Sequence, residues 1–473
     1  MKKNNQQQIV HLPRGRWQAG LLIGLVMILL TACSPAATPA STQEVVESTA
    51  PVAVATEAPT AETTEPIKLV MWWWGEQEAP GAEKWMNETI SLYEKEHPNI
   101  KIESVLQSTD NLIPSFQSAI AAGSGPDIQY VWGGIYTLDF VWTDGLSPIN
   151  DLIPADELSH YINNFERTYD GKIWGVPWYL SGNPLVYNKA LFKEAGLDPE
   201  KPITTWDELL AACGKLREKG IIPISGGLKD GWYGGWLYSI VGRQSFDSEK
   251  ELMEASVGNA KWTDPKYAEY WSRMQQLKDA NCWNEDIMSL DQYQGLDMFV
   301  QKKSAMVLGN DTFLGNWINQ MGADDIGVMP LPRYADGKLA DDYVVTAQGL
   351  GITSWSEHPQ EAADFLMFMH TPERLNAWFN ATGVLPADNR MDTSLVKQPL
   401  IQQLYEWATT TAGPNLENFV PIQIDQEAWW SGVQLLFTGS KSPEELAQFT
   451  EDTAQKWRDQ NPDSIQNWET WMK

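Results

Sequence analysis

An α/β fold in two lobes is predicted by three features of the chain. From Ile67 onward, strand, helix, strand, helix and strand follow in short order, which builds a mostly parallel sheet with helices on both faces. Short apolar strands return near residues 184, 221, 304 and 325 among longer helical stretches, so the second region has a smaller sheet of its own. Residues 67–473 are also too many for one ordinary core and suit two lobes.

The first strand, Ile67 to Trp73, is an apolar run that leads into Trp72-Trp73-Trp74-Gly75-Glu76. Alternation puts Trp72 and Trp74 on one face and Trp73 on the other. Trp72 is therefore expected to pack under a helix and Trp74 to face outward, with Trp73 open to either reading. Trp85, Met86, Ile90 and Tyr93 recur three and four apart, as on one helix face, and His97-Pro98-Asn99 stops that helix. Ile100 to Val105 alternates as a strand. Leu112, Ile113, Phe116 and Ile120 mark the next helix, and Asp127 to Trp132 the third strand.

Pro184 to Tyr187 follows as a strand, then Thr205-Trp206-Asp207-Glu208, a capping box that opens a helix over Leu209, Leu210, Cys213 and Leu216. Strands are expected at Ile221 to Ile224, Ser304 to Gly309, Asp325 to Met329 and Val344 to Ile352. Helices return at Pro359 to Met369 and after Thr371-Pro372, ending at Gly383.

Ahead of all this, Lys2, Lys3, Arg14 and Arg16 precede an apolar run from Leu21 to Leu30 and then Thr31-Ala32-Cys33. A charged start, a short apolar stretch and small residues before the cut make a secretory signal, and the run falls short of the roughly 20 residues a spanning helix needs. Leu30-Thr31-Ala32-Cys33 resembles the bacterial lipobox, which implies a lipid on Cys33 after cleavage before it. Removing residues 1–32 takes away four cationic side chains and moves the formal charge from −28 to −32. So acidic a surface repels nucleic acid and argues against a polyanionic ligand. Ser34 to Pro66 has no aromatic or basic residue and reads as a flexible tether. Beyond Cys33 only Cys213 and Cys282 remain, as one disulfide or as two buried thiols.

No phosphate-cradling loop, His-Glu-x-x-His, nucleophile elbow or Cys-x-x-Cys occurs, and no metal site, cofactor or catalytic residue is expected. His97, His160, His358 and His370 stand in polar or turn contexts. The chain has instead 24 tryptophans, several at strand ends beside glycine or small polar residues: Trp73 and Trp74, Trp132 before Gly133-Gly134, Trp178 and Tyr179 before Ser181, and Trp232 and Trp236 in a glycine-rich loop. Ligands bind at the carboxyl ends of strands in open α/β sheets, and an indole face covers a sugar ring while acids and amides take its hydroxyls. Trp178, Trp206 and Trp236 read first as packing.

Gly171-Lys172-Ile173-Trp174-Gly175-Val176-Pro177, Val186-Tyr187-Asn188-Lys189 through Gly196-Leu197, and Thr205-Trp206-Asp207-Glu208-Leu209 resemble the signature stretch of the family-one extracellular solute-binding proteins, the maltose-binding-protein-like carbohydrate receptors of ABC importers. Gly123-Ser124-Gly125-Pro126-Asp127 with Trp132-Gly133-Gly134, Ser304-Ala305-Met306 and Gly383-Val384-Leu385-Pro386 are similar in the same order. The resemblance implies a two-lobed periplasmic-binding-protein fold with crossing segments and an inter-lobe cleft. Residues 67–178 plus 332–380 would form one lobe and 179–331 plus 381–473 the other.

Mapped onto this chain, the family's ligand positions fall at Trp73 or Trp74 and Glu76, at Trp132, at Tyr179, Ser181 and Asn183, at Asp230 and Trp232, at Asn310 and Asp311, and at Gln426 and Trp429. They carry one acid per loop and no arginine, which favours neutral hydroxyls over phosphate. The implied partners are a carbohydrate, ABC permease subunits and, through Cys33, the outer face of the cytoplasmic membrane, with no nucleic acid and the protein a monomer. The rival ligands are a polyol, a polyamine or a glycerophospho-compound, and the rival activity is a surface glycoside hydrolase.

Overall fold

The computed structural model describes residues 66–309 and 311–473. The signal peptide, Cys33, the tether and Asn310 lie outside the described residues. Two sheets organise the rest. In the first, Ile67–Trp73 lies between Ile100–Leu106, at the edge, and Ile128–Val131, parallel to both. Tyr343–Ile352 pairs antiparallel with Ile128–Val131 and also carries Val176–Gly182. In the second, the order is Ile326–Met329, Leu185–Asn188, Ser304–Leu308 and Ile222–Ser225. Each sheet mixes parallel and antiparallel neighbours, so the expectation of mostly parallel strands holds for the first three strands only.

The helices form where their apolar spacing directs them. Ala82–Glu96 buries Trp85, Met86, Ile90 and Tyr93 and packs with Phe365, Leu366 and Trp378 over the first sheet. The capping box at Thr205 is formed, with Glu208 N donating to Thr205 Oγ1 and Glu208 accepting from Thr205 N, at the start of Trp206–Glu218. Trp206 is buried and its indole N–H donates to Gln276 at 2.7 Å. Cys213 and Cys282 form a disulfide with 5.2 Å between Cα atoms, inside the second core.

The chain passes between sheets after Gly182 and again between Met329 and Tyr343. Tyr179 to Gly182, expected in the second lobe, stay in the first sheet because they pair with Val345 to Gln348. Residues 384–413 likewise return toward that sheet. Leu180 N donates to Leu385 O, and Ala412–Gly413 pairs with Tyr343–Ile352.

The last helix, Pro462–Trp471, bridges the lobes. Trp468 and Trp471 pack on Trp142 of helix Ile135–Trp142 in the first lobe, while Trp468 also meets Trp457 of Pro443–Gln460 in the second. Among the described residues no helix is long and apolar enough to cross a membrane. His370 stands in the turn that ends Pro359–Met369 and is buried there, its ring against Asp388 at 2.9 Å. Burial pushes the Asp388 carboxyl up, but His370 and Arg390 outweigh it and hold the group at about 2.

Candidate functional site

The pleat decides the fate of the three tryptophans. Trp72 packs against the helix-facing cluster of Phe116, Leu138 and Phe140. Trp73 is 1 % exposed, lies edge-on to Trp178 at 5.9 Å, and gives its N–H to Ser104. It belongs to the lobe core, which removes it from the ligand set. Trp74, just past the strand, lies 5.9 Å from Trp132 and 5.7 Å from Tyr130, and Tyr136 continues this aromatic row from Trp132 at 6.0 Å.

Opposite this row stands a second one from the other lobe. Trp232 is half-buried, 5.2 Å from half-buried Trp236 and 5.9 Å from Tyr293 on helix Gln292–Val300. The Tyr293 hydroxyl is raised by burial and by the charge of Glu78, and it in turn raises Tyr130. The rows meet at Asp425, which accepts from Tyr136 OH at 2.6 Å and whose Oδ1 would stand 2.5 Å from a Cβ at Gly235, next to Trp236. Asp230, beside Trp232, is exposed.

The acid expected after the first strand is not the one that turns inward. Glu76 accepts from Gly81 N at 3.0 Å and from Glu83 N at 2.6 Å, so it satisfies the free amides at the start of Ala82–Glu96. Glu78 is buried instead, and accepts from Ser181 Oγ at 2.5 Å, Tyr179 OH at 3.0 Å and Gln348 Nε2 at 3.2 Å. Burial raises it to about 7 despite those donors. Tyr179 and Ser181 are thus engaged with Glu78. Asn183 is buried and its Oδ1 has no hydrogen-bond partner among the described residues.

Asp311 accepts from Gly182 N at 2.7 Å and Tyr343 OH at 2.6 Å, which ties the turn after Ser304–Leu308 to the crossing strands. Burial raises it to about 6.

The late aromatic segment is a π turn, Ile424–Trp430. Trp429 is fully buried, stacked on Tyr238 with centroids 3.8 Å apart and planes at 5°. It too leaves the ligand set for the core, and the half-buried indole of the pair is Trp430. Gln426 is half-buried. Asp425 on this turn is buried and accepts from Tyr136 OH at 2.6 Å, across from the other lobe. Glu417 is buried beside it.

Glu166 completes the acids of this seam, accepting from Thr346 Oγ1 at 2.6 Å and from Asn418 Nδ2 at 3.4 Å. Burial raises it to about 7, partly offset by neighbouring Arg167. The Trp132-Gly133-Gly134 turn owes its glycines to this crowding. A Cβ at Gly134, whose φ is +58°, would overlap the Asn418 carbonyl.

Glu78, Glu166, Glu417 and Tyr293 were not selected from the sequence. The side-chain donors to Glu78 lie 101 to 270 positions away and those to Glu166 lie 180 and 252 away, and no local pattern carries that separation.

The family model for bacterial extracellular solute-binding proteins matches residues 75–374. An uncharacterized ABC transporter extracellular-binding protein of Pyrococcus horikoshii is 24 % identical over 358 residues, 74 % of this chain and 80 % of that one. The sn-glycerol-3-phosphate-binding periplasmic protein of Pectobacterium atrosepticum is 26 % identical over 328 residues, 64 % of this chain and 70 % of its own. Among solved structures, a chitin oligosaccharide binding protein superposes with a TM-score of 0.73 at 23 % identity, over 83 % of this chain and 99 % of the other. A Bacillus licheniformis sugar transporter in complex with stachyose does so with a TM-score of 0.65 at 18 % identity, over 82 % and 98 %. These structures share its two-lobed fold.

Proposed function

The chain belongs to the bacterial extracellular solute-binding proteins, and on that premise we propose that it captures an oligosaccharide between its lobes and delivers it to an ABC permease. One observation carries this reading: indole rows from opposite lobes, Trp74 with Trp132 and Trp232 with Trp236, meet at Asp425 among buried acids and amides. Aromatic faces would cover sugar rings, and Asn183 Oδ1, which has no partner among the described residues, would accept a hydroxyl. A ligand that touches both rows only when the lobes meet has a higher affinity for the closed form, and that difference moves the open–closed equilibrium.

A phosphorylated ligand fits this site less well, although relatives named for sn-glycerol-3-phosphate are similar in sequence. Arg167, the buried cation of this region, lies against Gly175 and against Gly349 of the first sheet, with the carboxyl group of Glu166 balancing its charge. The lipid on Cys33 would hold the receptor at the outer face of the cytoplasmic membrane, with the tether setting its reach. Calorimetric titration against mono- and oligosaccharides tests the ligand class. Heat from at least one oligosaccharide is expected, and silence across the panel removes the carbohydrate reading.

A further inference from the structure

The contact between Tyr136 and Asp425 does something that aromatic stacking does not explain. Tyr136 sits on helix Ile135–Trp142, whose Leu138, Phe140 and Val141 pack in the first lobe with Phe116 and Val131. Asp425 sits on a turn whose Ile424, Ala428 and Trp429 pack in the second core. Their 2.6 Å hydrogen bond therefore exists only while the lobes are together.

Asp425 is not alone there. A Cβ at Gly235 would overlap Glu417 Oε2 and stand 2.5 Å from Asp425 Oδ1, so both carboxyl groups press on the same point of that backbone. Glu417 accepts from Asn415 Nδ2 at 2.8 Å, and among the described residues Asp425 Oδ1 has no donor in good hydrogen-bond geometry, although the indole N–H groups of Trp236 and Trp430 stand beside the pair and favour its charged forms. The neighbouring elements bring no cation to them. Helix Tyr233–Val241 contributes Tyr233 and Tyr238, helix Pro265–Asp279 contributes Tyr270, and Ser431–Phe437 has no titratable side chain. On Pro443–Gln460, Lys456 turns to Glu427 and Arg458 to Glu451. Glu166 adds negative charge and has Arg167 beside it.

Two carboxylates pressed together in a dry site do not both ionise; they hold a proton between them. We propose that Tyr136 and Asp425 are positioning residues that latch the lobes in the closed form, and that the latch sets with uptake of one proton held between Asp425 and Glu417. Opening admits water to both carboxyl groups and releases the proton. Burial pushes Glu417 well up, with the charge of Asp425 adding to it, and burial raises Asp425 as well. The closed form then binds more protons than the open one, so closure is favoured as pH falls and lost as it rises.

The inference rests on the two-lobed capture reading but not on the identity of the sugar, so its first test omits ligand. Small-angle scattering of the purified protein should give a smaller radius of gyration at pH 6 than at pH 8. Asp425→Asn and Glu417→Gln should each flatten that dependence, while Glu78→Gln keeps it. With any sugar that binds, affinity should rise up to about tenfold per pH unit on acidification, the limit for one proton, and Asp425→Asn should abolish the slope. Tyr136→Phe should weaken binding at every pH. A radius that does not change with pH, or one that changes alike in Asp425→Asn and the unsubstituted protein, overturns the latch. A silent sugar panel overturns the proposed ligand class and leaves the scattering test to decide the latch.

Discussion

Glu78 and Asp425 are both buried acids at the seam, and they are held in opposite ways. Glu78 takes its hydrogen bonds from Tyr179, Ser181 and Gln348, all on strands of the first sheet, so it travels with one lobe. Asp425 takes its hydroxyl from the opposite lobe and faces a second carboxyl group. Burial alone does not distinguish a fixed acid from a moving one; the lobe that supplies the donor does.

Substitutions can break this contrast, beginning with one that sets its scale. Replacing Cys213 and Cys282 by Ser opens a crosslink spanning 69 positions, and the loss in urea unfolding should be about 4 kcal/mol with sugar affinity unchanged. Glu78→Leu strands three donors and should cost about 3 kcal/mol of stability. Because Glu78 is raised to about 7 in the folded chain, its contribution favours the fold at low pH and is lost as pH rises through that value. Glu78→Gln should flatten this part of the stability profile, and an unaltered profile would show that Glu78 is not the titrating group.

Trp132→Ala removes a half-buried indole at the margin of the first-lobe core, and should weaken sugar binding more than about tenfold, a loss of at least ~1.4 kcal/mol. Unchanged affinity would return Trp132 to packing. The smallest effect belongs to Tyr136→Phe, where loss of one hydrogen bond of about 1 kcal/mol should reduce affinity about fivefold and leave the melting of each lobe in place. If that variant unfolds early instead, Tyr136 supports the fold and the contrast with Glu78 collapses.

Secondary structure was largely legible, because helix Ala82–Glu96, the Thr205 capping box and the strand pleat all depend on neighbours within about four positions. The fates of Trp72 and Trp73 follow from that pleat. Paired tryptophans on the π turn were harder to read, since its wider winding sends Trp429 into the core and leaves Trp430 outside, by a geometry no apolar spacing marks. The exchange of roles between Glu76 and Glu78 has a similar cause. Both acids follow Gly75, and the free amides of a helix that starts at Ala82 claim the first. The partners of the second arrive from strands more than 100 positions away.

The bridging helix Pro462–Trp471 gives the molecule an order of assembly. Tyr169 OH donates to Asn467, and Trp468 fills the space between Trp142 and Trp457. During synthesis, which proceeds from the amino end, the strands and helices of the first lobe are translated before the helix that plugs their flank. The seam can be sealed only once Pro462–Trp471 has been made, and until then Trp142 on the first lobe lacks its aromatic cover.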